Sequence, residues 1–416
     1  MTSDVEGARE LARLLLADPR EPSAIRLIQG IVTNIEEPSG TVELTVSGDA
    51  TFPISGIKYL DSYKPVLGDT VWCMKIAGDV WVIGDMRQPK NVTQGAWNNL
   101  TFSNGWTSYG SGNEPGRYWK DPEGFVYVQA TLKGGTMGNV QIASLPVGFR
   151  PWRTHHFWGL VGTGARIDIT PSGQINLVRW EAGGANTYLA FSVRFQSADV
   201  YDVTDPKLIQ MPWVNDWSPI NAYDLFPVIH VRDDGFCQFV GGGVAGGTVG
   251  RTIGILPESA RTIWGECFGS AGWSGSAYQT NRVDISRGTL QGQIGNGEVV
   301  LAPVWWYSAK AEPRWIAPTL GNGWMNYDGL FAPAGYMLDD YGVVHLRGLI
   351  RAGTMSATIF TLPTGYRPNN TMEFPAVSFN TGNTGRIDVT LTGNVIANGG
   401  SNGYIDLGQV MFRAEW

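Results

Sequence analysis

The chain has 416 residues, room for two to four domains at about 100 to 200 residues each. Its 55 Gly, 23 Pro and 12% aromatic residues, against 16% charged ones, describe many short strands joined by tight turns, so the chain reads as mostly β. A net charge of -7 and the lack of any Lys/Arg run longer than two residues argue against nucleic acid and anionic membranes as partners.

Cys73, Cys237 and Cys267 are odd in number and widely spaced, which implies neither a disulfide framework nor a metal site. The sequence carries no GxSxG, HExxH, P-loop or dinucleotide-binding signature, so no catalytic residue, metal or cofactor is expected. The N-terminus lacks a basic segment followed by an apolar one, and no apolar stretch is long enough to span a bilayer. Neither a signal peptide nor membrane insertion is expected, and synthesis in a cytoplasm follows.

In chain order, "SDVEGARELARLLLADP" predicts a helix. Ser3 and Glu6 have capping-box spacing, and Val5, Ala8, Leu11, Ala12, Leu15 and Leu16 form an apolar stripe that needs a surface to dock on. From Arg26 to Met86, five short strand-like runs follow, among them "TVELTVS" with Val42, Leu44 and Val46 alternating with polar residues. Five strands in about sixty residues suit a small OB-like barrel. Its ending, "GDTVWCMKIAGDVWVIGD", resembles that of the OB domains in phage tail and baseplate proteins. Carboxylates outnumber cations here, unlike a groove that tracks a nucleic-acid strand, so the barrel is expected to be a structural adaptor.

Beyond "QPKNVTQG" the chain repeats itself three times. Each unit has an acidic turn ("DPEGF" from Asp121, "DDGF" from Asp233, "DDYGV" from Asp339) and then "GGTM", "GGTV" or "AGTM". A corner comes next ("LPVGFRP" from Leu145, "LPESART" from Leu256, "LPTGYRP" from Leu362), followed by "ARIDIT", "NRVDIS" or "GRIDVT". "SNGW" at Ser103 matches "GNGW" at Gly321, and the units begin near Trp97, Trp213 and Trp315. A period of about 105 to 115 residues is too long for a solenoid, so each unit is expected to close its own core as an antiparallel β-sandwich, jelly-roll-like in plan. The expected domains are 1–20 (docking helix), 21–90 (OB-like adaptor), 91–200, 201–310 and 311–416 (three sandwiches).

Proline and glycine make "LPVGFRP" a stiff corner. Its arginine persists as Arg150, Arg261 and Arg367, placed either to bond carbonyls at the corner or to contact a protomer or ligand. Alternation along a strand puts Arg166 with Asp168, Arg282 with Asp284 and Arg386 with Asp388 on one face. Such pairs form a solvated face of little energetic weight or, if three copies meet round an axis, salt bridges between copies. The acidic turns invite a glycosidase reading, but D-x-x-G spelling is that of a hairpin turn. His155 and His156 are adjacent and point to opposite faces of a strand, unlike paired metal ligands.

Seventeen Trp and fifteen Tyr exceed what cores demand. Trp152, Trp158, Trp273 and Tyr278 lie near small polar residues, which suits stacking on the apolar face of a sugar. The helix, the barrel and the repeated corner together resemble bacteriophage minor tail proteins and tail-tip receptor-binding proteins. That resemblance implies a virion tail location, a homotrimer attached through its N-terminal end to other tail or baseplate proteins, and recognition of host cell-wall carbohydrate by the sandwiches. A purely structural spacer and a tail-associated glycan hydrolase are the alternatives.

Overall fold

The computed structural model describes residues 26–36, 40–46, 53–59, 70–76 and 79–85, and then 96–414 except 162, 181–187, 203, 221–226, 249, 274–277, 293–297, 303, 328 and 379–383. The chain is mostly β and divides into two compact units, Met1–Asn91 and Val92–Trp416. The helix expected at residues 3–18 lies outside the described residues. Among those described, no helix is long and apolar enough to cross a membrane.

The first unit contains a closed five-stranded barrel. Its strands are β1 (Arg26–Glu36), β2 (Thr41–Val46), β3 (Ile54–Tyr59), β4 (Thr70–Ile76) and β5 (Asp79–Asp85), in the order β1-β2-β3-β5-β4, and β1 pairs again with β4 to close the ring. Only the β3–β5 pairing is parallel. Alternate residues point inward, so Val42 and Leu44, Val71 and Cys73, with Val32, Ile57 and Val82, fill the interior.

In the second unit, the sequence repeat is a repeat of topology. Val140–Ser144, Gln174–Trp180, Thr163–Ile169 and His155–Val161 are neighbours in that order. So are Thr252–Ile255, Thr289–Gly292, Tyr278–Ser286 and Gly265–Trp273, and then Thr358–Thr361, Asn394–Ala397, Thr384–Val389 and Met372–Val377. A second layer in each repeat is built on one central strand, Phe125–Lys133, Phe236–Val240 or Val343–Arg347. The two layers of each repeat bury a core between them, centred on Phe157, Ile167 and Phe191 in the first, Phe239, Phe268 and Ile285 in the second, and Leu346, Phe374 and Ile387 in the third.

The three repeats are not separate bodies on a string. The equivalent strands His155–Val161, Gly265–Trp273 and Met372–Val377 each touch the other two, so the repeats close cyclically round an axis within one chain. Two further apolar clusters draw on all three repeats. One joins Trp119, Phe125 and Tyr127 to Phe236, Trp305 and Tyr307 and to Met337, Val343 and Met411; the other joins Trp158, Cys267, Val300, Leu349, Val377 and Tyr404.

The corner is locked to the turn after each "RIDIT"-type strand. Leu145, Leu256 and Leu362 donate their backbone N–H to the carbonyls of Gly173, Gly288 and Gly393, at 2.8 Å in every repeat. Arg150 Nε donates to Leu145 O (3.0 Å) and Arg367 Nε to Leu362 O (2.8 Å), and Arg261 Nε lies against Gly288 in the equivalent place. Phe149 and Tyr366 pack on the cores of their repeats. The glycines under the arginines are there for space. A Cβ on Gly173, whose φ is +86°, would lie 2.3 Å from Leu145 O and 2.7 Å from Arg150 Nε, whereas one on Gly148, with φ +88°, would meet nothing within 4 Å. Gly148→Ala should therefore cost about 1–3 kcal/mol, the price of its backbone conformation alone. Gly173→Ala should cost clearly more, and denaturant unfolding of the two variants measures the difference; equal losses would refute the packing argument.

Candidate functional site

The arginine–aspartate pairs lie on the seams between repeats, so the expectation of a solvated face is corrected. Each pair is bidentate: Arg166 Nε and Nη2 reach Asp168 at 2.7 and 3.1 Å, Arg282 reaches Asp284 at 2.7 and 2.9 Å, and Arg386 reaches Asp388 at 2.7 and 2.7 Å. Each arginine then extends to the next repeat round the ring. Arg166 Nη1 donates to Glu298 of the second repeat (2.9 Å). The Arg282 guanidinium lies over Tyr404 and Phe331 of the third, 5.0 and 5.4 Å from the ring centroids. Arg386 Nη1 donates to Tyr188 Oη of the first (3.4 Å). A face that serves three copies meeting round an axis is thus used by three repeats of one chain.

The residue paired across the strand from each aspartate differs: His156, Cys267 and Glu373. His156 Nδ1 is 2.9 Å from Asp168 Oδ1. Burial alone would raise the Asp168 carboxyl, but the hydrogen bond and charge of His156, together with Arg166, hold it below the usual carboxylate range. Burial pushes the Cys267 thiol well up, with Asp284 adding to the shift, which suppresses the thiolate needed of a nucleophile.

The four aromatic candidates separate. Trp158 is no sugar platform: it is 2% exposed and its six-membered ring packs against Gly269 of the second repeat, where a Cβ would come within 1.7 Å of it. Trp273 and Tyr278 are paired in backbone register at the end of the strands Gly265–Trp273 and Tyr278–Ser286, and their side chains lie outside the described residues. Trp152 is 38% exposed beside the first corner, stacked on Tyr201 (4.9 Å, 19°), with the Arg153 guanidinium 4.6 Å from its ring. The corner itself makes this stack: Pro151 bridges Ser197, and Ala198 N donates to Arg150 O, bringing residues 197–201 alongside. The second corner exposes Ile263 and Trp264, and the third carries Asn369 and Asn370 in that stretch. Sequence reading missed Tyr201, which lies far from Trp152 along the chain. It also missed Trp264, although Trp264 directly follows a repeated corner.

The acidic turns hold their own backbone. Asp121 Oδ1 accepts from Glu123 N and Phe125 N, Asp339 Oδ1 from Tyr341 N and Val343 N, and Asp234 Oδ1 from Phe236 N. Asp406, raised by burial to about 7, is 1% exposed and accepts from Gly408 N and Val377 N, so this perturbed carboxyl is enclosed in packing rather than open to a substrate. His155 and His156 are both buried, and among the described residues no group of three His, Cys, Asp or Glu could hold a metal ion. The exposed Trp152–Tyr201–Arg153 stack is thus the candidate ligand contact: aromatic rings and a cation together at the surface, beside peptide groups.

Comparison with protein-family models, curated proteins and solved structures finds no match to this chain.

Because Asp168 is held low in the folded state, its contribution to stability is full above its unfolded pKa of about 3.9 and is lost as pH falls through the folded value. Asp168→Asn should destabilise the chain by about 1.5–3 kcal/mol at pH 7. The gap from wild type should shrink below about pH 4. Denaturant unfolding at pH 7 and pH 3.5 checks both; a pH-independent gap would mean that the ionised pair contributes nothing.

Proposed function

We propose that the chain is a bacteriophage tail component whose N-terminal region attaches to the tail tip or baseplate and whose three repeats form a head that binds host cell-wall glycan. The observation that carries this reading is the closure of three corner-bearing repeats into one body with an exposed aromatic stack at its surface. The strand order of the barrel, with its one parallel pairing, supports an OB-like adaptor. The two-layered repeats with a shared strand order support jelly-roll-like sandwiches.

The resemblance implied a homotrimer, in which three subunits surround one axis. Here one chain supplies three repeats round an axis, so the proposal has one chain per head. The mass of the full-length chain in solution tests this: 45.3 kDa is expected, and three times that value would restore the homotrimer.

Ligand binding is tested with the full-length chain on immobilised peptidoglycan fragments and purified wall polysaccharides from a panel of bacteria. Wild type should be retained, and Trp152→Ala should weaken retention by about tenfold, the loss of roughly 1.4 kcal/mol of stacking. Retention of neither form would favour the structural spacer, and release of soluble sugar from the polysaccharide would favour the hydrolase.

A further inference from the structure

We infer that the repeat axis carries a buried binding site for a single small anion, chloride under ordinary conditions. Arg194 is 2% exposed, and none of its three guanidinium nitrogens has a hydrogen-bond partner. Its Cζ lies over the rings of Phe125, Phe236 and Tyr127, 4.0, 4.3 and 5.2 Å from their centroids. Ring faces attract the cation but are only weak acceptors for its N–H groups, so a full hydrogen-bond partner is still lacking.

Arg194 lines a cavity of about 20 Å³ to which all three repeats contribute: Trp158 from the first, Gln238 and Trp305 from the second, Gln409 and Met411 from the third. Trp158 Nε1 and Gln409 Nε2 are also buried without partners. Among the buried side-chain atoms of the cavity lining, the acceptor without a partner is Gln238 Oε1, whose amide is oriented by donation from Nε2 to Arg194 O (3.0 Å). No carboxylate is among the described residues lining the cavity. The nearby Asp121 and Asp339 are already engaged by backbone N–H groups and by Tyr127 and His345.

A cavity of this size has room for a water or a monatomic ion. A water must place its own two hydrogens, and the lining side chains offer it one unpaired acceptor. An anion only accepts, which matches a surplus of donors, and it offsets the cost of a desolvated, unpaired guanidinium.

The repeats also supply the control. Strand register equates Arg194 (opposite Tyr127) with Trp305 (opposite Gln238) and Met411 (opposite His345), so the fold already takes methionine at this position. Thermal unfolding of the full-length chain is followed in sodium chloride and in sodium gluconate at equal ionic strength. Above the dissociation constant, wild type should gain about 2 °C per tenfold rise in chloride, and Arg194→Met should gain nothing specific to chloride. Crystals soaked in bromide should give an anomalous peak in the cavity of wild type, a measurement that stands even if the variant fails to fold. Equal wild-type melting in the two salts, chloride dependence retained by Arg194→Met, or a cavity without bromide would each overturn the site.

Discussion

Eight successive residues of Phe125–Lys133 are buried, although its side chains alternate between two faces. Val126, Val128, Ala130 and Leu132 belong to the core of the first repeat, while Phe125 and Tyr127 belong to the cluster shared by all three. The same division holds in Phe236–Val240 and Val343–Arg347, where Cys237 and Phe239, then Val344 and Leu346, face inward and Phe236 and Val343 face the shared cluster. A layer that is apolar on both faces must be covered on both, and a single two-layered unit covers only one. Closure of three units round an axis covers the other.

A ring made by one chain has a freedom that a ring of identical chains lacks. Register equates Trp158, Gly269 and Pro375, which lie opposite Arg166, Arg282 and Arg386. The indole occupies the space left by the glycine, an arrangement in which exact symmetry would set three indoles against one another. The cyclic order of the arginine contacts survives because each uses different chemistry on the next repeat: a carboxylate, two aromatic faces and a phenol. Divergence among the repeats is therefore part of how the centre is filled. The middle repeat has lost the aromatic and second proline of its corner but keeps the leucine–glycine hydrogen bond and the arginine over that glycine.

These constraints leave the outer surface free to vary. The three corners share a backbone scaffold and differ at the residues just after it, with Trp152, Ile263 and Trp264, or Asn369 and Asn370. A rigid, repeated scaffold with variable exposed side chains separates what holds the fold from what faces solvent, which suits the proposed ligand-binding head.

The sequence by itself determined the β class, the five barrel strands, the threefold repeat and its order of motifs, because alternation, turn chemistry and self-similarity are local properties. It also carried the corner: proline and glycine set its shape, and donation from the persistent arginine to corner carbonyls was one of the two roles open to it. It did not reveal that "VNDW" at Val214 is the middle counterpart of "SNGW" and "GNGW", with Asn215 holding Thr252 O as Asn104 holds Gln141 O and Asn322 holds Thr358 O. Nor could it say which outward residues meet solvent. Phe125, Tyr127, Arg166 and Trp158 face away from the core of their own repeat, and only the approach of the other two repeats covers them. Whether a polar face is solvated or becomes a seam is decided by what packs on it, and that is a property of the tertiary structure alone.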